Sequence, residues 1–237
     1  MNTTISYFDI STYAWITTGG IGVASNGAAM EMSDGELPTL NREMVSDEPD
    51  QRWGRLDIYS KLGLVAATKA IRDCGFDRKK FPGQTGIFIA TADSCIDADH
   101  NYYQSVIPED GLLASPNLFA YTLPNCLAGE IALRYQITGP ALIVSQYEPQ
   151  MLNGLKKGLE FMQYNLCDNA LAGYCNVNRV SSPVVYGCKP GAVFFVLKKI
   201  FKNKGWAFHN DIIQYREQPV DNLVSMVQYA TTYLHEK

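Results

Sequence analysis

Residues 115–148 read SPNLFAYTLPNCLAGEIALRYQITGPALIVSQYE. Within this stretch, Asn125–Tyr135 has the composition of a buried helix, and Ala141–Ser145 is a short, continuous apolar run. An apolar run without alternating polar residues is typical of a strand that is covered on both faces of a sheet. The stretch therefore predicts one helix-to-strand step of a layered α/β domain.

The same two kinds of segment recur on both sides of this stretch. Apolar residues at helical spacing predict helices over Asp57–Cys74 and Gln150–Tyr164, and Pro219 is expected to open a last helix. Further apolar runs predict strands at Gly86–Ala92, Ala170–Cys175 and Ala192–Lys198. The elements follow one another as strand, helix, strand, helix, strand, helix, strand, strand, helix. This order predicts an α/β fold with a largely parallel central sheet.

The 237 residues are expected to form a single domain over 1–237. Glu31–Gln51 contains Pro38, Pro49 and many acidic residues, which predicts a loop over the surface. The chain is 46% hydrophobic and has a formal net charge of −4, which excludes a disordered protein and argues against a nucleic-acid partner. It has no apolar run long enough to span a membrane, and Met1–Tyr13 lacks the Lys or Arg of a signal peptide. We therefore expect a cytoplasmic protein.

Several other kinds of site are disfavoured by the residues themselves. No two of the six cysteines have C-x-x-C spacing, so we expect no metal site. The cluster Gly19-Gly20-Ile21-Gly22 lacks the third glycine of a dinucleotide-binding loop, so a tight turn is the better interpretation. The histidines are expected to be ordinary surface or boundary residues: His100, His209 and His235.

The opening stretch resembles the β-ketoacyl synthases of fatty-acid and polyketide assembly, in the segment that leads to their nucleophile. The matching pairs and residues keep the family's order: Ser115-Pro116, Asn125, Ala128-Gly129 and Gly139-Pro140. Other segments of this chain are similar to further family motifs: Asp57–Gly75, Gly86–Thr91, Leu166–Gly173 and Gly187–Gly205. The resemblance covers most of Asp57–Ile213. It implies a thiolase-like layered fold, essentially the amino-terminal half of a ketosynthase with the other half missing.

Two departures from the family pattern bear on function. Counted along the strand from Gly139-Pro140, the position of the family's catalytic cysteine is occupied by Glu148. A carboxylate is a poor acyl acceptor, because its acyl derivative would be an anhydride, and a thiolate is far more nucleophilic. The chain also lacks the family's second half, which carries two catalytic histidines. We therefore expect no catalytic residue and no acyl condensation by this chain alone.

The chain length factors of type II polyketide systems resemble ketosynthases that lack the cysteine, and they pair with an active ketosynthase. Short relatives that lack the second half accompany aryl-polyene assembly lines. This resemblance implies a heterodimer with an active β-ketoacyl synthase. It also implies no cofactor in this chain, since the substrate is expected as a phosphopantetheine thioester on an acyl carrier protein that the partner binds.

Carried over residue by residue, the family's tunnel-gating helix falls on Leu118–Cys126. Its residues at i, i+3 and i+7 would share a face that lines the acyl tunnel: Phe119, Thr122 and Cys126. Phe119 and Thr122 would set the length of the acyl chain; the alternative is that this face is simply part of the core. The family's interface falls on the strand Ala141–Ser145 and the residues after it, which assigns four residues to the partner contact: Leu142, Val144, Gln146 and Glu148.

Two alternatives remain open at this point. One is a subunit that decarboxylates malonyl groups to prime a chain, as some ketosynthase-like domains without the cysteine do. The other is a module that docks an acidic acyl carrier protein, for which the basic candidates are Lys156-Lys157 and the run Lys198–Lys204.

Loss of the second half should also expose apolar surface, which the last helix is expected to cover in part.

Overall fold

The computed structural model describes residues 5–75, 84–177 and 187–237. The strands within these ranges are β1 Ser6–Thr17, β2 Gly20–Val23, β3 Thr85–Thr91, β4 Ala141–Ser145, β5 Asn169–Asn176, β6 Gly191–Ile200, β7 Trp206–His209, β8 Ile212–Tyr215 and β9 Gln218–Pro219. The α-helices are α1 Ile58–Asp73, α2 Ile96–Val106, α3 Pro116–Phe119, α4 Cys126–Tyr135, α5 Asn153–Gln163 and α6 Leu223–His235. The predicted helices and apolar strands are thus present close to their expected bounds.

These strands form one nine-stranded sheet in the order β4-β3-β5-β6-β1-β7-β8-β9, with β2 paired to β1. Only β4, β3 and β5 run parallel to one another, and the remaining pairs are antiparallel. The prediction of a largely parallel sheet is therefore wrong. Apolar runs report burial but not strand direction: residues 191–197 of β6 are as deeply buried between two antiparallel neighbours as β3 is between two parallel ones.

The sheet is the middle of three layers. On one face, α1 and α4 pack over a cluster that includes Ile87 and Ile89 of β3. On the other face, α5 and α6 pack over a cluster that includes Phe88 and Ala90 of the same strand and that extends to residues of β7 and β8. Because β3 is covered on both sides, all seven of its residues are buried. The predicted layered α/β fold is confirmed.

Helix α5 lies unusually close to the sheet. A Cβ atom added to Gly154 would come within 1.9 Å of the main-chain oxygen of Gly173 on β5. At Gly158, one turn later, an added Cβ would lie 3.0 Å from the Cβ of Ala172. These two glycines let the helix backbone rest directly on β5, which fixes the start of α5 beside the carboxyl ends of the parallel strands.

The last helix begins later than predicted. Pro219 belongs to β9, and α6 starts at Leu223 after the cap residue Asn222, whose side chain accepts a hydrogen bond of 3.0 Å from the Ser225 N–H. Proline can open a helix, but an Asn that satisfies a free helix N–H marks the start here. Leu223, Met226, Val227, Ala230 and Tyr233 of α6 are buried in the cluster shared with α5. The helix therefore covers part of this apolar face of the sheet.

The segment Glu31–Gln51 has no strand and only a short 3-10 helix, Arg42–Met44. It is nevertheless packed, because Val45 is buried against the α1 side of the sheet. Arg72 of α1 donates a hydrogen bond of 2.9 Å to the main-chain oxygen of Val45. Among the described residues, no helix has the length and apolar character needed to cross a membrane.

Candidate functional site

Strand β4 forms one end of the sheet and pairs on one side only. Ile87 of β3 donates to the oxygen of Pro140, and the Gln146 N–H donates to the oxygen of Thr91, both at 2.8 Å. In a parallel ladder with these bonds, the N–H and C=O groups of Ala141 and Ile143 point away from β3. No strand in the described part of the chain pairs with this side.

The side chains of β4 are apolar yet incompletely buried. Ala141 and Ser145 are exposed, and the three residues between them are half-buried. Leu142 and Val144 contact the cluster that contains α5, whereas Ile143 contacts the cluster on the opposite face. Two of the four predicted interface residues, Leu142 and Val144, thus lie on an open, apolar edge.

The other two predicted interface residues lie in the turn after β4. Gln146 is fully buried: its side-chain NH₂ donates to the Glu148 oxygen at 2.7 Å, and its side-chain oxygen accepts from the Asn153 N–H at 3.2 Å. Its side chain therefore shapes the turn and has no exposed surface to offer a partner. Glu148 itself is exposed. Met151 has a left-handed backbone (φ 56°), and α5 begins only at Asn153, five residues beyond Glu148.

No cysteine near this turn takes the place of the family's catalytic cysteine. The Cys188 sulfur lies 3.7 Å from the Glu148 oxygen, but the residue is fully buried, and burial raises the pKa of its thiol. Burial likewise raises the pKa of Cys126, whose thiol lies 3.0 Å from the Ala120 oxygen. A protonated thiol is a weak nucleophile, so both residues have the properties of packing cysteines.

The predicted gating helix over Leu118–Cys126 is not a single helix. Helix α3 ends at Phe119, a series of turns follows, and Cys126 opens α4. Pro124 explains the break, because it has no N–H to donate and its ring does not fit inside a helix. The expectation that Phe119, Thr122 and Cys126 share one helical face is therefore wrong.

The three residues of that expectation instead occupy separate local positions. Phe119 is 59% exposed, and its ring centre lies 5.2 Å from that of Tyr102 on α2. The Thr122 hydroxyl donates to the Phe119 oxygen at 2.9 Å. Cys126 is half-buried at the start of α4. Of the three, Phe119 offers a bulky apolar group to the surface.

Phe119 belongs to a larger set of exposed apolar side chains. Of the fourteen large apolar side chains that are exposed in the described residues, eight lie between β3 and β4 in sequence, and Tyr147 follows β4 directly. The eight are Ile96, Tyr103, Ile107, Leu112, Leu113, Phe119, Leu123 and Leu133. All eight therefore fall within one segment of the chain, residues 96–133. We refer to these eight residues as the apolar patch.

A partly buried ionic network anchors the helix that leads into β4, because the Arg52 side chain is exposed while Glu130 is buried. Glu130 of α4 is only 9% exposed and accepts two hydrogen bonds from the Arg52 guanidinium, at 2.6 and 3.1 Å. Tyr121 donates to the same carboxylate at 3.1 Å, and burial together with the Glu130 charge raises the pKa of Tyr121 to about 12. Sequence reasoning missed this network. An acid on a helix predicted to be buried was the signal that could have indicated it.

A second polar network, also missed, lies at the carboxyl ends of β3 and β5. The Asn176 side-chain oxygen accepts from the Asp93 N–H at 2.7 Å and from the Ala92 N–H at 3.1 Å. The Asn176 NH₂ donates to the Asp93 carboxylate at 3.3 Å, and burial raises the pKa of that carboxyl. These bonds hold the loop that leads from β3 into α2, and hence the start of the apolar patch.

The two groups of lysines that were candidates for carrier-protein docking differ in whether they form ion pairs. Lys156 contacts Asp211 at 3.0 Å, and Lys157 forms an ion pair with Glu160. Lys198, Lys202 and Lys204 are exposed and form no ion pair with any residue in the described ranges. Only the second group therefore presents unneutralised positive charge.

Comparison with known proteins places this architecture in a family. The sequence profile described as "Beta-ketoacyl synthase, N-terminal domain" matches residues 40–189. Polyketide synthase PksN of Bacillus subtilis (strain 168) is 28% identical over 146 residues, which are 61% of this chain and 2% of that protein. The tetracenomycin polyketide synthase ketoacyl synthase alpha subunit of Streptomyces glaucescens is 27% identical over 139 residues, or 56% of this chain and 32% of that one.

Solved structures share the fold. The ishigamide ketosynthase/chain length factor matches with a TM-score of 0.64 and 14% identity, over 84% of this chain and 65% of that chain. The complex of the ketosynthase ApeO with its chain length factor ApeC, from Xenorhabdus doucetiae, matches with a TM-score of 0.54 and 14% identity, over 81% and 79%. The chain spans less than a third of the curated relatives that it matches.

Proposed function

The chain belongs to the β-ketoacyl synthase family through its N-terminal domain, and on that premise we propose that it is a non-catalytic chain length factor. In this proposal it pairs with an active β-ketoacyl synthase of a type II polyketide system of the aryl-polyene kind. The partner supplies the nucleophile and binds the acyl carrier protein, whose phosphopantetheine thioester is the substrate. This chain shapes the cavity in which the acyl chain grows.

The chemistry at the nucleophile position supports a non-catalytic role. Glu148 is an exposed carboxylate on a turn, and a carboxylate would form an anhydride where the family forms a thioester. The neighbouring thiol of Cys188 is buried, and its raised pKa keeps it protonated near neutral pH. Acyl transfer therefore has no suitable acceptor at this turn.

The single observation that carries the proposal is the open edge of β4. Its apolar side chains are half-buried, and its outer N–H and C=O groups have no strand partner among the described residues. Adding a strand there would satisfy those groups and bury Leu142, Ile143 and Val144.

The decisive experiment is co-purification with a candidate ketosynthase, followed by native mass spectrometry and an assay with malonyl-loaded carrier protein. We expect a one-to-one complex, in which the partner's cysteine is required for products and Glu148→Gln in this chain is not. A chain that stays a monomer or a homodimer beside the ketosynthase would contradict the proposal. Malonyl decarboxylation by the chain alone would replace it with the priming role.

Phe119 provides a test of the tunnel role. Its exposed ring is expected to limit the cavity in the complex, so Phe119→Ala should lengthen the products without weakening assembly. Leu166→Ala, at another exposed apolar residue outside the apolar patch, is the matched control and should leave the product length unchanged. Unchanged product length in both variants would remove Phe119 from the tunnel while leaving the pairing proposal intact.

A further inference from the structure

The loop between β6 and β7 carries a basic and aromatic surface that the proposed function does not use. This loop, Phe201–Gly205, is called the tip here; it connects β6 to the β7–β8 hairpin on the other side of β1. It presents Phe201, which at 88% exposure is the most exposed large apolar side chain of the described residues. Lys202 and Lys204 lie on the same loop, Lys198 lies near the end of β6, and Arg216 follows β8 of the hairpin. We refer to Lys198, Phe201, Lys202, Lys204 and Arg216 as the hairpin patch.

The charge of the hairpin patch is only partly balanced. Three of its lysines have no carboxylate within ion-pair distance in the described parts of the chain, and Arg216 pairs with Glu236. The acids on neighbouring elements are Asp9, Asp168, Glu217 and Glu236. Of these, Asp9 already binds Lys237 at 2.9 Å. A chain with a net charge of −4 thus displays locally unneutralised positive charge beside an exposed aromatic ring.

A small pocket adjoins the tip. It has a volume of about 250 Å³ and is lined by Lys204, Arg216, Tyr233, Glu236 and Lys237. Two of the three lining cations are already paired, Arg216 with Glu236 and Lys237 with Asp9, so the pocket adds the charge of Lys204 to the hairpin patch. Tyr233 is held in place by its hydrogen bond of 2.7 Å to Asp9, so the wall of the pocket is fixed.

The shape of the hairpin patch distinguishes between kinds of anionic partner. A stable protein interface takes roughly 20–30 residues on each side, and the hairpin patch has far fewer. A lipid surface can instead receive a single exposed ring among its headgroups while lysines contact the surrounding phosphates. Strands β7 and β8 lie toward the opposite end of the sheet from β4, so pairing at β4 leaves the tip uncovered.

We propose that the hairpin patch docks the protein on an anionic membrane surface, with Phe201 among the headgroups and the lysines on lipid phosphates. This inference stands apart from the proposed function and holds for the chain alone or for a complex formed through β4. Each lysine near an anionic surface contributes about a fivefold gain in partitioning, and burial of the aromatic ring about a tenfold gain.

The test is co-sedimentation of the full chain with vesicles of phosphatidylcholine alone or with 40% phosphatidylglycerol, at low and high salt. We expect binding only to the anionic vesicles, lost at high salt. Lys202→Gln with Lys204→Gln should weaken it by about 25-fold and Phe201→Ala by about tenfold. The matched control, Lys156→Gln with Lys157→Gln, removes the same charge from paired lysines and should bind like the parent chain.

Three results would overturn the proposal. The first is equal binding to neutral vesicles, and the second is an equal loss in the control pair. The third is an absence of binding to anionic vesicles. In that case, binding of an acidic carrier protein, or of inorganic phosphate at 10 mM, would assign the hairpin patch to that ligand and not to a membrane. Phe201, Lys202 and Lys204 are exposed, whereas the control residues Lys156 and Lys157 are half-buried. Thermal melting of each variant checks that the fold is retained.

Discussion

The two edge strands of the sheet, β9 and β4, differ in length, composition and burial. At one end, β9 has only two residues, Gln218 and Pro219, and both are exposed. A short edge strand that contains proline offers few groups for pairing, which is a common protection against unwanted association. At the other end, β4 has five uncharged residues, three of them apolar and half-buried. One end is closed to further strands, and the other has the properties of a strand that lacks a neighbour.

Strand β3 shows what β4 would gain from a second neighbour. The two strands are parallel, and Ile89 of β3 is directly opposite Ile143 of β4. Ile89 is 0% exposed, because β5 lies on its other side, whereas Ile143 remains half-buried. The two residues differ in their neighbours and not in their chemistry. The exposure of β4 is therefore a property of its position at the end of the sheet.

The largest expected effect is on the affinity for the ketosynthase, when a charge is placed on β4 and, as a control, on β9. Ile143→Lys would bury an unpaired ammonium if a partner strand adds to β4, so the complex with the ketosynthase should weaken at least about a hundredfold, or ~3 kcal/mol. Gln218→Lys adds the same charge to the closed end and should leave the affinity unchanged. Titration of each variant against the ketosynthase measures both. Equal loss at both ends would break the comparison.

The next effect concerns stability and uses the facing pair on β3 and β4. Ile89→Ala leaves a cavity in a fully packed site and should lower the free energy of unfolding by about 4 kcal/mol. Ile143→Ala removes the same atoms from a half-exposed site and should cost about 1 kcal/mol in the isolated chain. Urea denaturation followed by circular dichroism gives both values. Similar costs would mean that the edge of β4 is packed as tightly as the centre of the sheet.

A smaller effect is expected at the anchor of α4, the helix before β4. Arg52→Met leaves the Glu130 carboxylate buried with Tyr121 as its remaining hydrogen-bond donor in the described structure, and should destabilise the chain by about 2 kcal/mol. Glu130→Gln removes the charge and keeps a hydrogen-bonding group, so its cost should be about 1 kcal/mol. The ranking of the two variants in urea denaturation is the measurement. A reversed ranking would show that the guanidinium contributes little.

The sequence predicts the interior of this fold better than its periphery. Strands β3, β5 and β6 are continuous apolar runs, and such runs occur where a strand is covered on both faces. The bounds of β1, the longest strand, could not be set by the same rule, because it contains Asp9 and Thr12 among its apolar residues. Their partners lie far along the chain: Asp73 for Thr12, and Tyr233 and Lys237 for Asp9.

For the candidate site, the sequence predicted the positions of β4 and the following turn but not the orientation of the side chains. Counting from Gly139-Pro140 located β4 and the turn that carries Glu148, since both depend on local sequence. The counting could not show that Gln146 turns its side chain inward, because that depends on where α5 begins. The continuous helix over Leu118–Cys126 failed at Pro124, although that proline was visible in the sequence. The helix was expected from the family resemblance, and that resemblance does not include the effect of a proline at this position of the chain.

The smallest expected effect separates pairing at β4 from overall stability. Asp57 caps α1 by accepting a hydrogen bond of 3.0 Å from the Ser60 N–H, while its second carboxylate oxygen is buried without a donor in the described structure. Burial outweighs these hydrogen bonds and raises the pKa of Asp57. Asparagine caps a helix about as well as aspartate and carries no charge. Asp57→Asn should therefore relieve a buried charge without disturbing the cap.

The pH dependence fixes the sign of this prediction. Because the carboxyl of Asp57 has a raised pKa in the folded chain, its favourable contribution is complete below the unfolded value of about 3.9 and is lost as the pH rises through the folded value. Asp57→Asn should thus raise the free energy of unfolding by up to ~1 kcal/mol at pH 7, and the gain should vanish below about pH 4. Urea denaturation between pH 4 and pH 8 measures the difference. Since Asp57 lies away from the edge of β4, affinity for the ketosynthase should stay constant; a parallel rise in affinity would mean that pairing reports general stability and not the open strand.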